Sequence, residues 1–559
     1  MPYRIHALFL AGLVACSASD KFDQITLSKT TTAQESSEAT KIMTKPPLPN
    51  VIQRENAKSI GVTREWQIST ESDYAANHEI EGYASATSVA RGGTINFYVH
   101  TVSKSYTLDV YRVGWYGGVG GRLIHSGIST EGTKNLPGIQ QPSCPTVDKA
   151  TSLLECNWKV SHTLNVPDNP SDQTDWASGY YLVKLTSSDG KQSYIPFVVR
   201  DDNRNADLMM QAAVTTYQAY NNWGYDAGSP FDPNPGWSLY DYNSKGNERA
   251  FKVSFNRPYS NILSSHGAGQ FFAFEIYMLR FLEKEGYDVV YSTNIDTHNS
   301  SHQLRRYKAF LSVGHDEYWT KQMRDAIQAA RDLGVNLGFF GANMGYWQIR
   351  LEPSIVDGTP DRTIVSYKNA SFFKAIIKWL YNVARGNAGS YQKFGFDPQA
   401  FHKKAETTVR FRESPVNRPE AELQGIMFDY DQVNGDIVIS DYASWICNGT
   451  NLRNGDKLKG MLGYEVDRVD GSSPANVQII GTSPYPILKN GSPSSEIRYS
   501  HMTYYEAQSG AGVFSSGSMY WNFGLDDFGA RNSTLANTNV QQITRNVLNA
   551  FIARSQQKN

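Results

Sequence analysis

The residues with the clearest chemical potential follow one glycine near the middle of the chain. His315, Asp316 and Glu317 come directly after Gly314, at the end of the apolar stretch AFLSVG. Imidazole and carboxylate side chains can transfer protons and bind metal ions. A further polar residue, Asn343, follows the next apolar stretch, VNLGFFG.

Strands and helices are predicted to alternate around these residues. Beyond residue 205 the pattern is strand, helix, strand, strand, helix, strand, in ADLMMQAAV, FFAFEIYMLRFLEKEG, YDVVYSTN, YKAFLSVG, TKQMRDAIQAARDLG and VNLGFFGAN. This alternation predicts a mostly parallel sheet covered on both faces by helices. Ligands bind at the carboxyl ends of such strands, so His315, Glu317 and Asn343 are expected to share one crevice. Taken singly, they could instead satisfy backbone groups, cap a helix and form a turn.

A third polar and aromatic segment, residues 215–246, is expected to be a long loop. It contains Tyr217, Tyr220, Tyr225, Tyr240 and Tyr242. Long loops inside compact domains are usually functional or disordered, and this density of aromatic residues argues against disorder. The alternative is an aromatic lid that packs over the edge of the sheet.

The chain before residue 204 has a different pattern. Short apolar–polar alternations such as TINFYVHT and GYYLVKLT predict a β-sandwich over 61–203. Residues 17–60 are rich in Ser and Thr, which predicts a flexible tether. The expected fold class is therefore multidomain, an all-β sandwich followed by an α/β domain over 204–559. Near the C-terminus, SGAGVFSSGSMYWNFG is expected to form strands and VQQITRNVLNAFIARS a helix.

Residues 1–16 resemble an export signal. Their apolar run is too short to span a bilayer, and LVAC at 13–16 resembles the bacterial lipobox. We therefore expect an exported protein of the bacterial cell envelope, a periplasmic or outer-membrane lipoprotein attached to the membrane only through Cys16. A plain secretory signal with a fortuitous Cys16 is the alternative.

Export also determines what is expected of the other cysteines. Cys144 and Cys156 are close in sequence, and an oxidising compartment favours a disulfide between them. Cys447 would then be single. No CxxC spacing or suitably placed histidine predicts a structural zinc site.

The charge balance restricts the class of partner. The chain has 53 Lys and Arg residues against 54 Asp and Glu, a formal net charge of −1. No polyanion-binding surface is implied, so nucleic acid is not expected as a partner.

Several segments carry a more specific signal: EGYASATSVARGGTINFYVHT, YTLDVYRVGWYGG, DWASGYYLVKL, SYIPFVVRDD, TTYQAYNNWG, GHDEYW and FFGANMGYWQIR. Together they resemble the bacterial family related to the large (beta) subunit of N,N-dimethylformamidase. The resemblance runs from about residue 60 to the C-terminus. It implies a β-sandwich ahead of a glutamine-amidotransferase-like α/β domain, and hydrolysis of a small-molecule amide.

The resemblance also implies a mononuclear Fe³⁺ held by two tyrosines and one glutamate. The glutamate matches Glu317. The first tyrosine falls on Tyr220, with Tyr217 as the alternative. Tyr240 is the choice for the second, although its loop differs in length from that of the amidase. Two phenolates and a carboxylate are hard anionic donors, which suit Fe³⁺ better than zinc.

A histidine and an asparagine near the metal in that family match His315 and Asn343. Bound Fe³⁺ would polarise an amide carbonyl and lower the pKa of bound water. His315 would then carry a proton toward the leaving amine, and Asn343 would donate to the oxyanion. The turn at Gly314 carries no cysteine and the chain has no GxSxG turn, so thiol and serine acyl transfer are not expected.

Two functions of different classes follow. The first is an exported metal-dependent hydrolase of a small C–N amide bond. The second is a non-catalytic envelope lipoprotein whose sandwich and aromatic loop bind a glycan or another surface component. Metal content separates them. The protein could be a homo-oligomer or could have a small partner subunit, and the sequence leaves both open.

Overall fold

The structure is a computed structural model that describes residues 48–224, 236–260, 269–370, 395–489, 491–529 and 535–556, with residues 377, 380 and 384. Cys16, the predicted signal and most of the predicted tether lie outside the described residues, as does Tyr225. In the part of the chain that is described, no helix has the length and apolar character needed to cross a membrane.

Two sheets form between residues 80 and 200 and share a hydrophobic core that includes Phe97, Tyr181 and Phe197. Their strand orders are β1-β3-β9 and β2-β11-β10-β4-β5, with β6 beside β4, and β7 pairs with β8 separately. The strands are β1 (Ile80–Ala84), β2 (Ser88–Ala90), β3 (Thr94–Thr101), β4 (Ser105–Val113), β5 (Gly121–Ser126), β6 (Leu136–Pro137), β7 (Thr146–Asp148), β8 (Leu153–Leu154), β9 (His162–Asn165), β10 (Gly179–Ser187) and β11 (Gln192–Arg200).

A seven-stranded sheet follows, with strand order β14-β12-β15-β17-β24-β23-β22. Its first five strands are parallel and the last two pair antiparallel. A second sheet has the order β13-β19-β18-β16, and β20 pairs with β21 as a ribbon. These strands are β12 (Leu208–Ala212), β13 (Lys252–Ser254), β14 (Val289–Thr293), β15 (Ala309–Gly314), β16 (Tyr318–Thr320), β17 (Asn336–Gly341), β18 (Trp347–Glu352), β19 (Thr363–Val365), β20 (Met427–Val438), β21 (Lys457–Arg468), β22 (Gln478–Lys489), β23 (Ser492–Glu506) and β24 (Gly512–Ser515).

Helices form in the three segments where they were predicted and also at places where none was predicted. They are α1 (Val51–Asn56), α2 (Val214–Tyr220), α3 (Ile276–Lys284), α4 (Asn294–Asn299), α5 (Lys321–Asp332), α6 (Gln399–His402), α7 (Ala421–Gln424) and α8 (Thr538–Gln556). Helix α1 lies in the predicted tether and is capped by Asn50. Helix α2 replaces the start of the predicted aromatic loop. It has no side-chain cap and is buried along its whole length, so packing rather than a local signal stabilises it.

One predicted strand near the C-terminus is wrong in part. Gly512–Ser515 is β24, but Met519–Gly524 forms a 3₁₀ helix. The hydroxyl of Ser518 accepts a hydrogen bond from the backbone N–H of Tyr520, which caps the helix and ends the extended chain.

Residues 49–559 form one compact unit, so the division between 203 and 204 stays a prediction. A buried ion pair joins the two regions. Arg112 on β4 donates to both carboxylate oxygens of Glu283 on α3, at 2.7 and 3.1 Å, and both side chains are fully buried. The chain is thus a mixture of α/β and β-rich parts in close contact.

A disulfide joins Cys144 and Cys156, whose Cα atoms lie 4.4 Å apart. The two cysteines flank the β7–β8 ribbon, and Trp158 and Trp223 belong to the same small hydrophobic cluster. Cys447 is buried and free.

Candidate active site

The ends of β15 and β17 bring the polar residues together. The two strands are parallel, and Gly314 pairs with Gly341 at their ends. Gly314 has a φ of 71°, and a Cβ added there would lie 2.5 Å from Cβ of Phe274. Only glycine therefore lets the chain turn at this point. The turn carries His315 into the crevice that also contains Asn343.

Glu317 is the residue on which two tyrosines converge. The hydroxyl of Tyr240 donates to its two carboxylate oxygens at 2.9 and 2.7 Å, and that of Tyr220 donates to Oε2 at 3.1 Å. The Tyr220 and Tyr240 rings stack with centroids 4.3 Å apart. Helix α5 is capped by Thr320, so Glu317 has no capping role.

Tyr217, the alternative to Tyr220, lies elsewhere. Its hydroxyl donates to Oε1 of Glu275 at 2.5 Å, in a fully buried contact. Of the two tyrosines on α2, Tyr220 is therefore the one that the fold brings to Glu317.

His315 lies between two carboxylates. Its Nε2 is 3.3 Å from Oε2 of Glu317 and 3.2 Å from Oε2 of Glu465. Burial disfavours the imidazolium, but Glu465 and Glu317 outweigh this effect and raise the pKa of His315 to about 10. Neither ring nitrogen is hydrogen-bonded to the backbone, so the simple structural role considered for this histidine is not observed.

Asn343 forms a turn with its backbone and contacts another residue of the site with its side chain. Its φ is 57°, and its backbone N–H donates to Oδ1 of Asp467 at 2.9 Å. Its side-chain amide donates to Oε2 of Glu465 at 2.8 Å. Both acids lie on β21, and burial raises the pKa of Asp467 to about 8. The sequence analysis predicted neither acid. One signal was available, because two acids spaced by two residues lie on the same face of a strand.

A line of polar groups leads away from Tyr240 on its other side. The hydroxyl of Tyr318 donates to that of Tyr240 at 2.6 Å, and Nζ of Lys368 donates to Tyr318 at 2.8 Å. Burial, reinforced by Arg249 and opposed by Glu317, lowers the pKa of Lys368 to about 7. No sequence pattern pointed to this lysine, which follows a three-residue strand.

Asp316, the middle residue of the predicted motif, has a structural role. Its carboxylate accepts hydrogen bonds from Gln211, Asn294 and Ser312, at 2.7 to 2.9 Å. These contacts fix the turn after β15 and leave His315 and Glu317 to face the tyrosines and Glu465.

The chemistry of the donors decides which metal the site could hold. Among the described residues, no group of three or more His, Cys, Asp and Glu side chains could hold a metal ion. Tyr220, Tyr240 and Glu317 instead present two phenol oxygens and a carboxylate, and each hydroxyl is within 3.1 Å of the carboxylate. Oxygen ligands held about 2 Å from one ion lie about 3 Å apart, so the set fits a hard cation such as Fe³⁺.

The same geometry explains the protonation of the two phenols. Burial, followed by the charge of Glu317, raises the pKa of Tyr220 and Tyr240 well above the usual value. Without a cation, both hydroxyls therefore keep their protons and donate to Glu317. A bound trivalent cation would reverse this preference and favour the phenolates.

Comparison with known proteins identifies the family. Residues 107–537 match the sequence model of N,N-dimethylformamidase beta subunit-like, C-terminal. The N,N-dimethylformamidase beta subunits of Alcaligenes sp and Paracoccus aminophilus are each 23% identical over 459 residues, which cover 72% of this chain and 55% of theirs. The chain thus spans about half the length of these relatives. With most of its length matched, the chain belongs to the N,N-dimethylformamidase beta subunit-like family.

Proposed function

We propose that the chain is a metal-dependent hydrolase of a small C–N amide bond, with one Fe³⁺ bound by Tyr220, Tyr240 and Glu317. The observation that carries the proposal is the convergence of two tyrosine hydroxyls on Glu317, beside His315. Two relatives named N,N-dimethylformamidase beta subunit support the same class of reaction. When bound, Fe³⁺ would supply a Lewis acid for the amide carbonyl and acidify a bound water.

His315 is the proposed proton carrier. The carboxylates of Glu317 and Glu465 flank its Nε2 and favour the imidazolium, which is a proton donor. Delivery of that proton to the amide nitrogen would make the amine a better leaving group. Glu465 would then hold the imidazole in place and accept a proton from it or return one.

Asn343 is the proposed oxyanion donor. A side-chain amide has two N–H groups, and one of them donates to Glu465. The second can donate to the carbonyl oxygen as negative charge develops there. Asp467 fixes the backbone of Asn343 and thereby the direction of both N–H groups.

The proposal extends to location and partners. We infer export and a lipid anchor at Cys16, because LVAC follows a short apolar run. The relatives are named as subunits, which supports a partner subunit for this chain as well. A homo-oligomer stays the alternative assembly.

Turnover by matched histidine variants tests the proposal. Iron-loaded protein should release ammonia from formamide, methylamine from N-methylformamide or dimethylamine from N,N-dimethylformamide. His315→Ala should retain iron and lose turnover, because the imidazole is not a ligand. His125→Ala, on β5 in the β-rich region, should behave like the wild type. Full turnover by His315→Ala contradicts the assigned role. If the protein binds no metal and cleaves no amide, a surface-binding function replaces the hydrolase.

A further inference from the structure

Lys368 ends a chain of hydroxyl groups that leads to the proposed metal ligands. Nζ of Lys368 donates to the hydroxyl of Tyr318 at 2.8 Å, which donates to Tyr240 at 2.6 Å. Tyr240 in turn donates to Glu317 at 2.7 Å. Every polar group along this line is therefore joined to the next by a short hydrogen bond.

The lysine head group is held by aromatic faces rather than by an ion pair. Nζ lies 4.0 Å from the ring centroid of Tyr240, 4.7 Å from that of Trp347 and 5.2 Å from that of Tyr318. Its other hydrogen bond is to the backbone oxygen of Leu239, at 3.2 Å. No carboxylate of a described residue lies within ion-pairing distance of Nζ. The charge therefore faces the tyrosine rings.

We propose that Lys368 is a positioning residue for the metal centre, acting through Tyr318 on Tyr240. The inference rests on the proposed function. It adds a residue that is not a ligand but that orients the Tyr240 oxygen and stabilises its negative charge. The hydroxyl of Tyr318 donates a hydrogen bond to the Tyr240 oxygen. The hydrogen bond from Lys368 to Tyr318 polarises that hydroxyl and makes it a stronger donor.

Two readouts follow for Lys368→Met. Loss of a residue that supports a metal ligand through hydrogen bonds lowers metal affinity by about 10- to 100-fold. The dissociation constant for iron should therefore rise by that factor. The visible band of the iron-loaded protein should also move to longer wavelength. Without the nearby positive charge the phenolate electrons lie higher in energy, and transfer of an electron to Fe³⁺ needs less energy.

Matched variants separate this role from a general effect on folding. Tyr318→Phe should shift the band in the same direction, because it breaks the same chain, whereas Lys368→Arg keeps a cation and a donor and should restore the wild-type band in part. Lys252→Met removes a lysine of β13 that pairs with Glu352 of β18 at 2.6 Å and has no contact with the hydroxyl chain among the described hydrogen bonds, so it should leave the band unchanged.

The wild-type spectrum distinguishes the two possible failures. If the wild type binds iron and shows the band, but Lys368→Met has the same band and the same affinity, the positioning role is wrong while the hydrolase stands. Complete loss of iron from Tyr318→Phe would make Tyr318 a ligand and also overturn the inference. If the wild type itself binds no iron, the proposed function fails, and the role of Lys368 fails with it.

Discussion

Glu275 is a buried acid that should make stability fall as the pH rises. Its Oε1 accepts hydrogen bonds from Tyr217 at 2.5 Å and from the backbone N–H of Ala213 at 3.4 Å, and its Oε2 has no partner among the described residues. Burial is the main cause that raises its pKa to about 8, and Asp316 adds to it. These contacts anchor α2, the helix that carries Tyr220.

The sign and size of the effect follow from this pKa. The value in the folded chain is above the unfolded value of 4.5, so the native state binds the proton more tightly. The stabilisation is fully present below pH 4.5 and is lost as the pH rises through about 8. The expected slope between these values is about −1.4 kcal/mol per pH unit, with an upper bound of about 5 kcal/mol in total.

Urea unfolding between pH 4 and 9 measures the effect. Glu275→Gln keeps an acceptor for Tyr217 but cannot ionise, so its free energy of unfolding should lose this part of the pH dependence. The difference between wild type and variant should therefore change by several kcal/mol across the range. Glu131→Gln changes an exposed acid and should follow the wild type. If the free energy of unfolding changes with pH in the same way for wild type and Glu275→Gln, the assignment of Glu275 as a buried, protonated carboxyl is wrong.

Three further predictions concern the rest of the chain. Replacing Cys144 and Cys156 together by Ser should lower the free energy of unfolding by about 2–3 kcal/mol, and titration of the unfolded, unreduced wild type should find no thiol from either residue. Arg112→Met should lower the free energy of unfolding by about 3–5 kcal/mol, because it leaves the buried Glu283 without a cationic partner. The double variant Arg112→Met with Glu283→Leu should recover part of this loss, and an equal loss in both variants would contradict the account. Cys16→Ala should release the protein from membranes, and unchanged membrane fractionation would reject the lipid anchor.

The strand ends were predictable because their signals are local. An apolar run that stops at Gly314 and resumes before Asn343 predicts neighbouring parallel strands, and the observed register pairs Gly314 with Gly341. His315 and Glu317 then share an edge of the sheet with Asn343, as expected from the rule for ligand sites in such sheets. The roles of the two tyrosines came from the family resemblance, and the structure adds their distances to Glu317.

The residues of the site that the sequence did not predict are those brought there by contacts between segments distant in sequence. Glu465 and Asp467 come from β21, more than a hundred residues after His315. Glu465 contacts His315 and Asp467 contacts Asn343 only because the β20–β21 ribbon lies beside the strand ends. Lys368 has no local pattern at all. Helix α2 was predicted as a loop because it has no cap, and its burial depends on the whole fold.

The iron content and visible spectrum of the purified protein test the central claim most directly. A phenolate bound to Fe³⁺ absorbs visible light by charge transfer, so wild-type protein loaded with iron should be coloured and hold about one iron per chain. Glu317→Ala should lose iron and colour together, while Glu352→Ala, a change outside the site on β18, should keep both. A colourless, metal-free wild type after iron loading, or a Glu317→Ala variant that keeps the band, would contradict the account.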